Sequence, residues 1–287
     1  MSYDLLTGAL KMFNSFSGAD TGIKPLFCRH SSLKELESHF SLSQIAGKGD
    51  TFSRAYHLLI WISAHIYHKG DYDSRLTNAI DLLDYSFDKG PEFGINCRSL
   101  SVTMMESCLS VGIFARQMFL MPLSPYDGDN HVVCEIWLPE ENRWVMMDPS
   151  YGGYLTDESG KALDLLQLRE CLGNQGEVSF SEGFHYNGDR NLDFEDIKTY
   201  YAKNLFYFRC LQVQTFDVEH ISGNQMLYFV PAGYDPIRSQ LACIEYKERR
   251  YGPHPWLTER KAVLAKENAV LCGKTALTAA PEWMDER

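Results

Sequence analysis

Apolar residues recur along this chain with two different periods. Up to about residue 112 the spacing is helical, and from there to residue 149 it is that of strands. Residues 31–45 form a partly amphipathic helical pattern. Residues 52–68, "FSRAYHLLIWISAHIYH", are apolar on most faces, which predicts a buried helix. In 75–88 the residues Leu76, Ile80, Leu83 and Phe87 keep helical spacing until Gly90-Pro91 stops them. The next helix starts at Cys97, and Cys97, Leu100, Met104, Cys108 and Val111 fall on one face. Asn96 is suited to cap it, because its side chain can accept bonds from first-turn N–H groups, and Gly112 is placed to end it.

Three strand patterns follow: "IFARQMFLMP", "HVVCEIWLP" (131–139) and "NRWVMMDP" (142–149). The last two are joined by the short turn "PEEN", which predicts a hairpin. Beyond Asp148 the pattern gives helices over 161–172, 194–204 and 256–271, and strands over 205–216 and 225–231. Helices first, strands next and mixed elements last predict an α+β fold, with an antiparallel sheet packed on the Cys97 helix. The expected division is a helical N-terminal extension (1–50), a core (51–160) and a C-terminal α+β extension (161–287) packed on that core as one compact unit.

Composition narrows the function classes. The formal net charge is −11 and the densest basic run, Lys247-Glu248-Arg249-Arg250, is interrupted by a glutamate. That argues against nucleic acid or an anionic membrane surface as partner, since both need a concentrated basic face. The N-terminal stretch lacks a secretory pattern, and no run of eighteen apolar residues occurs. The eight cysteines form no CxxC pairs, which suggests reduced thiols and a cytoplasmic setting, with no metal site and no cofactor expected. Cys97, Cys108, Cys134 and His131 do not have the spacing of common zinc ligands.

A thiol attacks only as thiolate, and a helix N-terminus favours the ionised form. Cys97 stands at such a position, whereas Cys134, Cys210 and Cys243 read as packed strand residues. His131 begins a strand after the polar loop "PLSPYDGDN", and Asp148 ends the next strand. In an antiparallel hairpin these two positions meet at the same end, so Asp148 can orient an imidazole that serves Cys97 as proton shuttle. Asn96, Trp61 and Tyr67 are the candidates for a second oxyanion donor, and Tyr126 and Tyr151 for lining a cleft.

In this order and setting the three residues resemble the transglutaminase-like superfamily. The resemblance runs through "GINCRSLSVTMMESCLSVGIFAR", "HVVCEIW" and "RWVMMDPS", and the helix carrying Trp61, with Ile66 and Tyr67 behind it, is similar to one the family places before its nucleophile. It covers roughly residues 52–155 and implies a papain-like core with Cys97, His131 and Asp148 as the catalytic residues. Many members have an aromatic residue where this chain has Val133, which implies a less aromatic wall beside the histidine. The expected activity is acyl transfer through an S-acyl enzyme, most simply hydrolysis of a peptide or amide bond. The alternatives are transfer of the acyl group to an amine, as in transglutaminases or small-molecule amide synthases, and a non-catalytic peptide-binding protein on the same fold. The expected substrate is a peptide, protein or small-molecule amide or thioester.

Overall fold

The computed structural model of the protein describes residues 2–16, 22–266 and 270–284. Helix α1 (Tyr3–Met12) and strand β1 (Leu26–Cys28) come first, then helices α2 (Ser31–Phe40), α3 (Leu42–Ala46), α4 (Thr51–His65), α5 (Ala79–Ser86) and α6 (Cys97–Ser110). Strands β2 (Ala115–Met121), β3 (His131–Leu138) and β4 (Arg143–Met147) follow. The remainder is β5 (Leu155–Thr156), α7 (Leu165–Gly173), β6 (Ser179–Phe180), α8 (Phe194–Asn204), β7 (Tyr207–Leu211), β8 (Val213–Gln214) and β9 (Met226–Phe229). Last come α9 (Pro236–Tyr251), α10 (Pro255–Lys266), β10 (Val270–Cys272), α11 (Lys274–Thr278) and β11 (Trp283–Met284).

The main sheet has six strands in the order β10-β9-β7-β2-β3-β4. All its neighbours are antiparallel except β10 and β9. The fold is α+β, and α6 lies on the sheet against β2 and β3. The C-terminal part contributes β7, β9 and β10 to the same sheet as the hairpin, so the parts share one sheet. No helix among the described residues is long and apolar enough to cross a membrane.

Several boundaries differ from the periodic pattern, each for a local reason. The 31–45 segment is two helices, because Ser41 adopts a left-handed φ of 54°. Apolar periodicity carries the expected helix to residue 68, but α4 ends at His65. The backbone there is drawn alongside residue 95: Ile95 N–H donates to Tyr67 O at 2.9 Å, and Lys69 N–H to Ile95 O at 2.8 Å. Gly94 permits this approach, since a Cβ on it would meet Lys69 Cβ at 2.8 Å and Tyr67 O at 2.9 Å. Helix α5 starts only at Ala79, where Asn78 Oδ1 accepts the N–H of Asp81 at 3.0 Å. Helix α7 starts at Leu165 behind an Asp164–Gln167 capping box. The 205–216 stretch divides into β7 and β8, which join different sheets. Of the expected helix 256–271, residues 267–269 lie outside the described residues, and 270–272 form a strand. Cys243 sits on α9, not on a strand.

Helix α6 is not amphipathic in its surroundings. Every residue from Ser99 to Leu109 is buried, with helices α2, α4 and α5 on one side and the sheet on the other. Its polar residues are therefore tied down. Ser101 Oγ donates to Val132 O at 2.9 Å and Cys134 Sγ to Ser101 O at 3.1 Å, which locks the helix to β3. Glu106 accepts the Ala79 N–H at 2.7 Å and the Asp217 N–H at 2.8 Å through its two oxygens. Leaving such a buried acceptor unpaired would cost about 1–3 kcal/mol.

The motif residues Arg116, Glu135 and Trp144 form a buried clamp behind the sheet. Arg116 Nε donates to Glu135 Oε2 at 3.0 Å and its guanidinium carbon sits 4.0 Å from the centre of the Trp144 ring. Glu135 also accepts the Leu165 N–H at 3.1 Å. These residues hold β2, β3 and β4 in register and stand away from the cleft described next.

Candidate active site

Cys97 is the first residue of α6, and Asn96 Oδ1 caps the helix by accepting the Ser99 N–H at 3.0 Å. The Asn96 amide is also engaged, donating to Ser74 Oγ at 2.6 Å and to Tyr72 O at 3.2 Å. Its fixed side chain orients the helix start and leaves no free donor for a substrate. Among the described residues the Cys97 N–H has no acceptor, as expected of a first-turn amide. Gln117 Nε2 donates to the Arg98 carbonyl at 2.9 Å, which pins the helix end over β2.

His131 and Asp148 come together at the open end of the hairpin. His131 Nε2 lies 2.5 Å from Asp148 Oδ2, and both side chains are at most 3% exposed. Asp148 Oδ2 also accepts the Tyr201 hydroxyl at 2.6 Å, and Oδ1 accepts the Ser150 N–H at 2.9 Å. Burial raises the carboxyl pKa, but the His131 charge and these hydrogen bonds bring it below the usual value. With Nε2 committed to Asp148, the other ring nitrogen of His131 is the one left for Cys97, with which this imidazole interacts.

The thiol feels opposing effects. Burial pushes Cys97 up, while hydrogen bonds and charge interactions with the imidazoles of His131 and His68 pull it down to about 6. Burial lowers His131, but the Asp148 charge and hydrogen bond, together with Cys97, lift it to about 10. Both directions favour a thiolate beside an imidazolium. The buried Cys108, by contrast, is pushed above the ordinary thiol range by desolvation.

His68 carries no mark in the sequence pattern. It lies in the extended segment after α4, bridged to Ile95, two residues before Cys97. Its N–H donates to Asn187 Oδ1 at 2.7 Å, and its carbonyl accepts Asn187 Nδ2 at 3.0 Å. Its ring Nδ1 meets the Tyr186 hydroxyl at 2.9 Å. When Tyr186 donates there, Nε2 is the ring nitrogen that carries the hydrogen.

These residues open onto a cleft of about 800 Å³ lined by His68, Asn96, Cys97, His131, Tyr151 and Tyr200, among others. Tyr151, Tyr200 and Tyr201 stand edge-on around His131, with ring centres 6.1, 5.4 and 5.9 Å away. The wall beside the histidine is thus aromatic despite Val133, which is buried in the same apolar cluster as Tyr201. Trp61 lies elsewhere, against Phe87 at 5.0 Å and Phe40 at 6.3 Å. Tyr67 lines a separate depression with Ser63 and His185. Tyr126 is exposed and packs on Tyr246 at 5.4 Å. Of the five expected accessory residues, the cleft contains Asn96 and Tyr151. The others stand elsewhere because α4 presents Trp61 outward and the chain turns at Ile66.

Residues 38–149 match the family model described as the transglutaminase-like superfamily. Among solved structures, one titled a "Putative Cysteine Protease from Cytophaga hutchinsonii" is similar over 52% of this chain and 49% of that one, at 15% identity and a TM-score of 0.34. The similarity therefore spans about half the length of that protein. No curated protein matches this chain. The matched segment holds Cys97, His131, Asp148 and the elements that carry them, and at superfamily level it supports a cysteine-dependent enzyme. Over residues 38–149 this chain is thus similar to the transglutaminase-like superfamily, within an α+β fold.

Proposed function

We propose that the protein hydrolyses a peptide or amide bond through an S-acyl intermediate on Cys97. The observation that carries this reading is that Cys97, at the start of α6, and His131, held 2.5 Å from the buried Asp148, line one cleft open to substrate. The thiolate adds to the carbonyl carbon, forming a C–S bond and an oxyanion. Collapse breaks the C–N bond, and the leaving amine takes the proton from His131. Water then gives a proton to His131 as it adds to the thioester, and the acid leaves as the C–S bond breaks, restoring thiolate and imidazolium. Asp148 holds the ring and balances its charge throughout.

The free Cys97 N–H at the helix start supplies one oxyanion donor, and His68 Nε2 is suited to be the second. His68→Phe is expected to slow Cys97 alkylation at pH 5.5 roughly tenfold, since one hydrogen bond to a charged group is lost. His68→Gln should recover part of the rate. Equal rates in all three proteins, measured by mass spectrometry, would remove His68 from the site.

Partial exposure of Cys97 in an open cleft supports water as the acyl acceptor. Asp193 and Asp196 also line the cleft and favour a cationic amine in a second reading, transfer rather than hydrolysis. Both readings share the thiolate, so its pH profile tests them together. Alkylation of Cys97 should rise through pH 6. At pH 5.5 a thiol of pKa about 6 is roughly 700-fold more ionised than one of pKa 9, while its lower basicity costs about 20-fold in intrinsic reactivity. Cys97 should therefore react roughly 30-fold faster than an ordinary thiol there. Rates rising only above pH 8 would refute the activated thiolate. Adducts trapped on Cys97 from peptide or thioester pools, with and without added amines, then separate hydrolysis from transfer.

A further inference from the structure

Arg209 is a cation in the cleft that the steps above do not use. It lies on β7, and its guanidinium carbon stands 5.0 Å from the centre of the Phe119 ring. Its Nε is buried and has no hydrogen-bond partner, and among the described residues Arg209 forms no ion pair. The neighbouring cations are engaged: Arg98 pairs with Glu219, and Lys203 with Asp127 at 3.2 Å and Asp129 at 2.6 Å. A desolvated N–H without an acceptor is costly, and native proteins rarely leave one unless a ligand or water supplies the acceptor.

The register of the sheet fixes where this guanidinium stands. Val132 on β3, Phe119 on β2 and Arg209 on β7 are directly opposite one another. Paired residues present their side chains to the same face, so the three form a row, and all three line the cleft. Gln117, two residues before Phe119 on that face, holds the Arg98 carbonyl next to Cys97. Neighbouring strands are about 4.8 Å apart, so Arg209 lies on the order of 10 Å from the Val132 end of the row. The Phe119 ring covers one face of the guanidinium and leaves its edge as a planar fork.

On the reading that Cys97 is the nucleophile, we propose that Arg209 anchors a carboxylate of the acyl donor, so that the enzyme selects acidic substrates. The carbonyl attacked by Cys97 and the anchored carboxylate belong to one molecule, separated by the length of a short side chain or a residue or two. A planar monoanion fits the guanidinium fork in a bidentate manner. A dianionic phosphate fits worse, because Asp193 and Asp196 also line the cleft and would repel the second charge.

Alkylating probes test this without a known substrate. N-iodoacetyl-6-aminohexanoate and N-iodoacetyl-glycine are compared with their neutral amide twins, and Cys97 labelling is followed by mass spectrometry. The longer carboxylate should react roughly tenfold faster than its amide, the worth of one charge-assisted hydrogen-bonded pair. In Arg209→Met that ratio should fall to about one or below, whereas Arg209→Lys should keep part of it. Taking a ratio cancels any general loss from the substitution. Should the variants not fold, free glutarate is the second measurement: it should slow iodoacetamide labelling of the wild type, and glutaramide should not. A ratio near one in the wild type, a ratio that survives Arg209→Met, or a phosphonate twin that outpaces the carboxylate would each overturn the proposal. Slow labelling by iodoacetamide itself would instead count against the activated thiolate beneath it.

Discussion

Cys97→Ala is expected to abolish turnover, lowering kcat roughly a millionfold for any substrate that acylates the wild type. The thiolate is the only group in the cleft proposed to form a bond to substrate, so no neighbour can take its part. Residual rate would come from the oxyanion donors and substrate binding alone. Stability should change little, because alanine is a strong helix former at the start of α6 and the lost sulfur is partly exposed. The check is twofold. The acyl adduct must vanish from the mass spectrum, and the unfolding midpoint must stay near that of the wild type. Turnover that survives with the fold intact would move the chemistry away from Cys97.

Asp148→Ala should lower kcat roughly 10⁴-fold and destabilise the fold by about 3–5 kcal/mol. Three buried partners lose their acceptor at once, the His131 ring, the Tyr201 hydroxyl and the Ser150 N–H. Asp148→Asn keeps an acceptor for His131 and Tyr201 but turns a donor toward the Ser150 N–H, so it should recover part of the stability. It removes the charge, however, and that charge helps hold His131 at about 10. The sign follows from the direction of each shift. The thiolate forms as pH rises through about 6, and the imidazolium is lost as pH rises through about 10, so wild-type activity should hold across that interval. In Asp148→Asn the upper limit moves down and the thiol limit moves up, which narrows the plateau. Stability has its own dependence. The lowered carboxyl of Asp148 stabilises the fold above the ordinary aspartate pKa, and that contribution is lost as pH falls through its folded value. A pH profile of Asp148→Asn superimposable on that of the wild type would show that the carboxylate charge is not needed.

The parts of the site legible in the sequence are those set by local rules. The Asn96 cap announces a helix at Cys97, and the "PEEN" turn fixes which end of the hairpin holds His131 and Asp148. The resemblance also picks out Arg116, Glu135 and Trp144, which serve the register of the sheet rather than the chemistry. His68 is hidden because its position depends on a bridge to Ile95 rather than on the apolar run that precedes it. A close-approach glycine at 94 is the one local sign of that bridge. Tyr201 reaches Asp148 from 53 positions further along, and no periodicity encodes such a contact. Helix α9 escapes the pattern because "YKERRY" is polar on most faces, and Cys243 is misplaced with it.

Tyr201 also bears on what counts as the smallest working unit of this chain. The family match ends at residue 149, yet the buried carboxylate receives a hydroxyl from α8, and β2 finds its second neighbour in β7. A chain cut after the hairpin would keep Cys97, His131 and Asp148. It would also bare the hydrogen-bonding edge of a central strand and let water reach Asp148, turning a dry orienting carboxylate into a solvated one and β2 into a sticky border. Grafting residues 38–149 of this chain alone onto another scaffold would therefore transplant Cys97, His131 and Asp148 without their insulation.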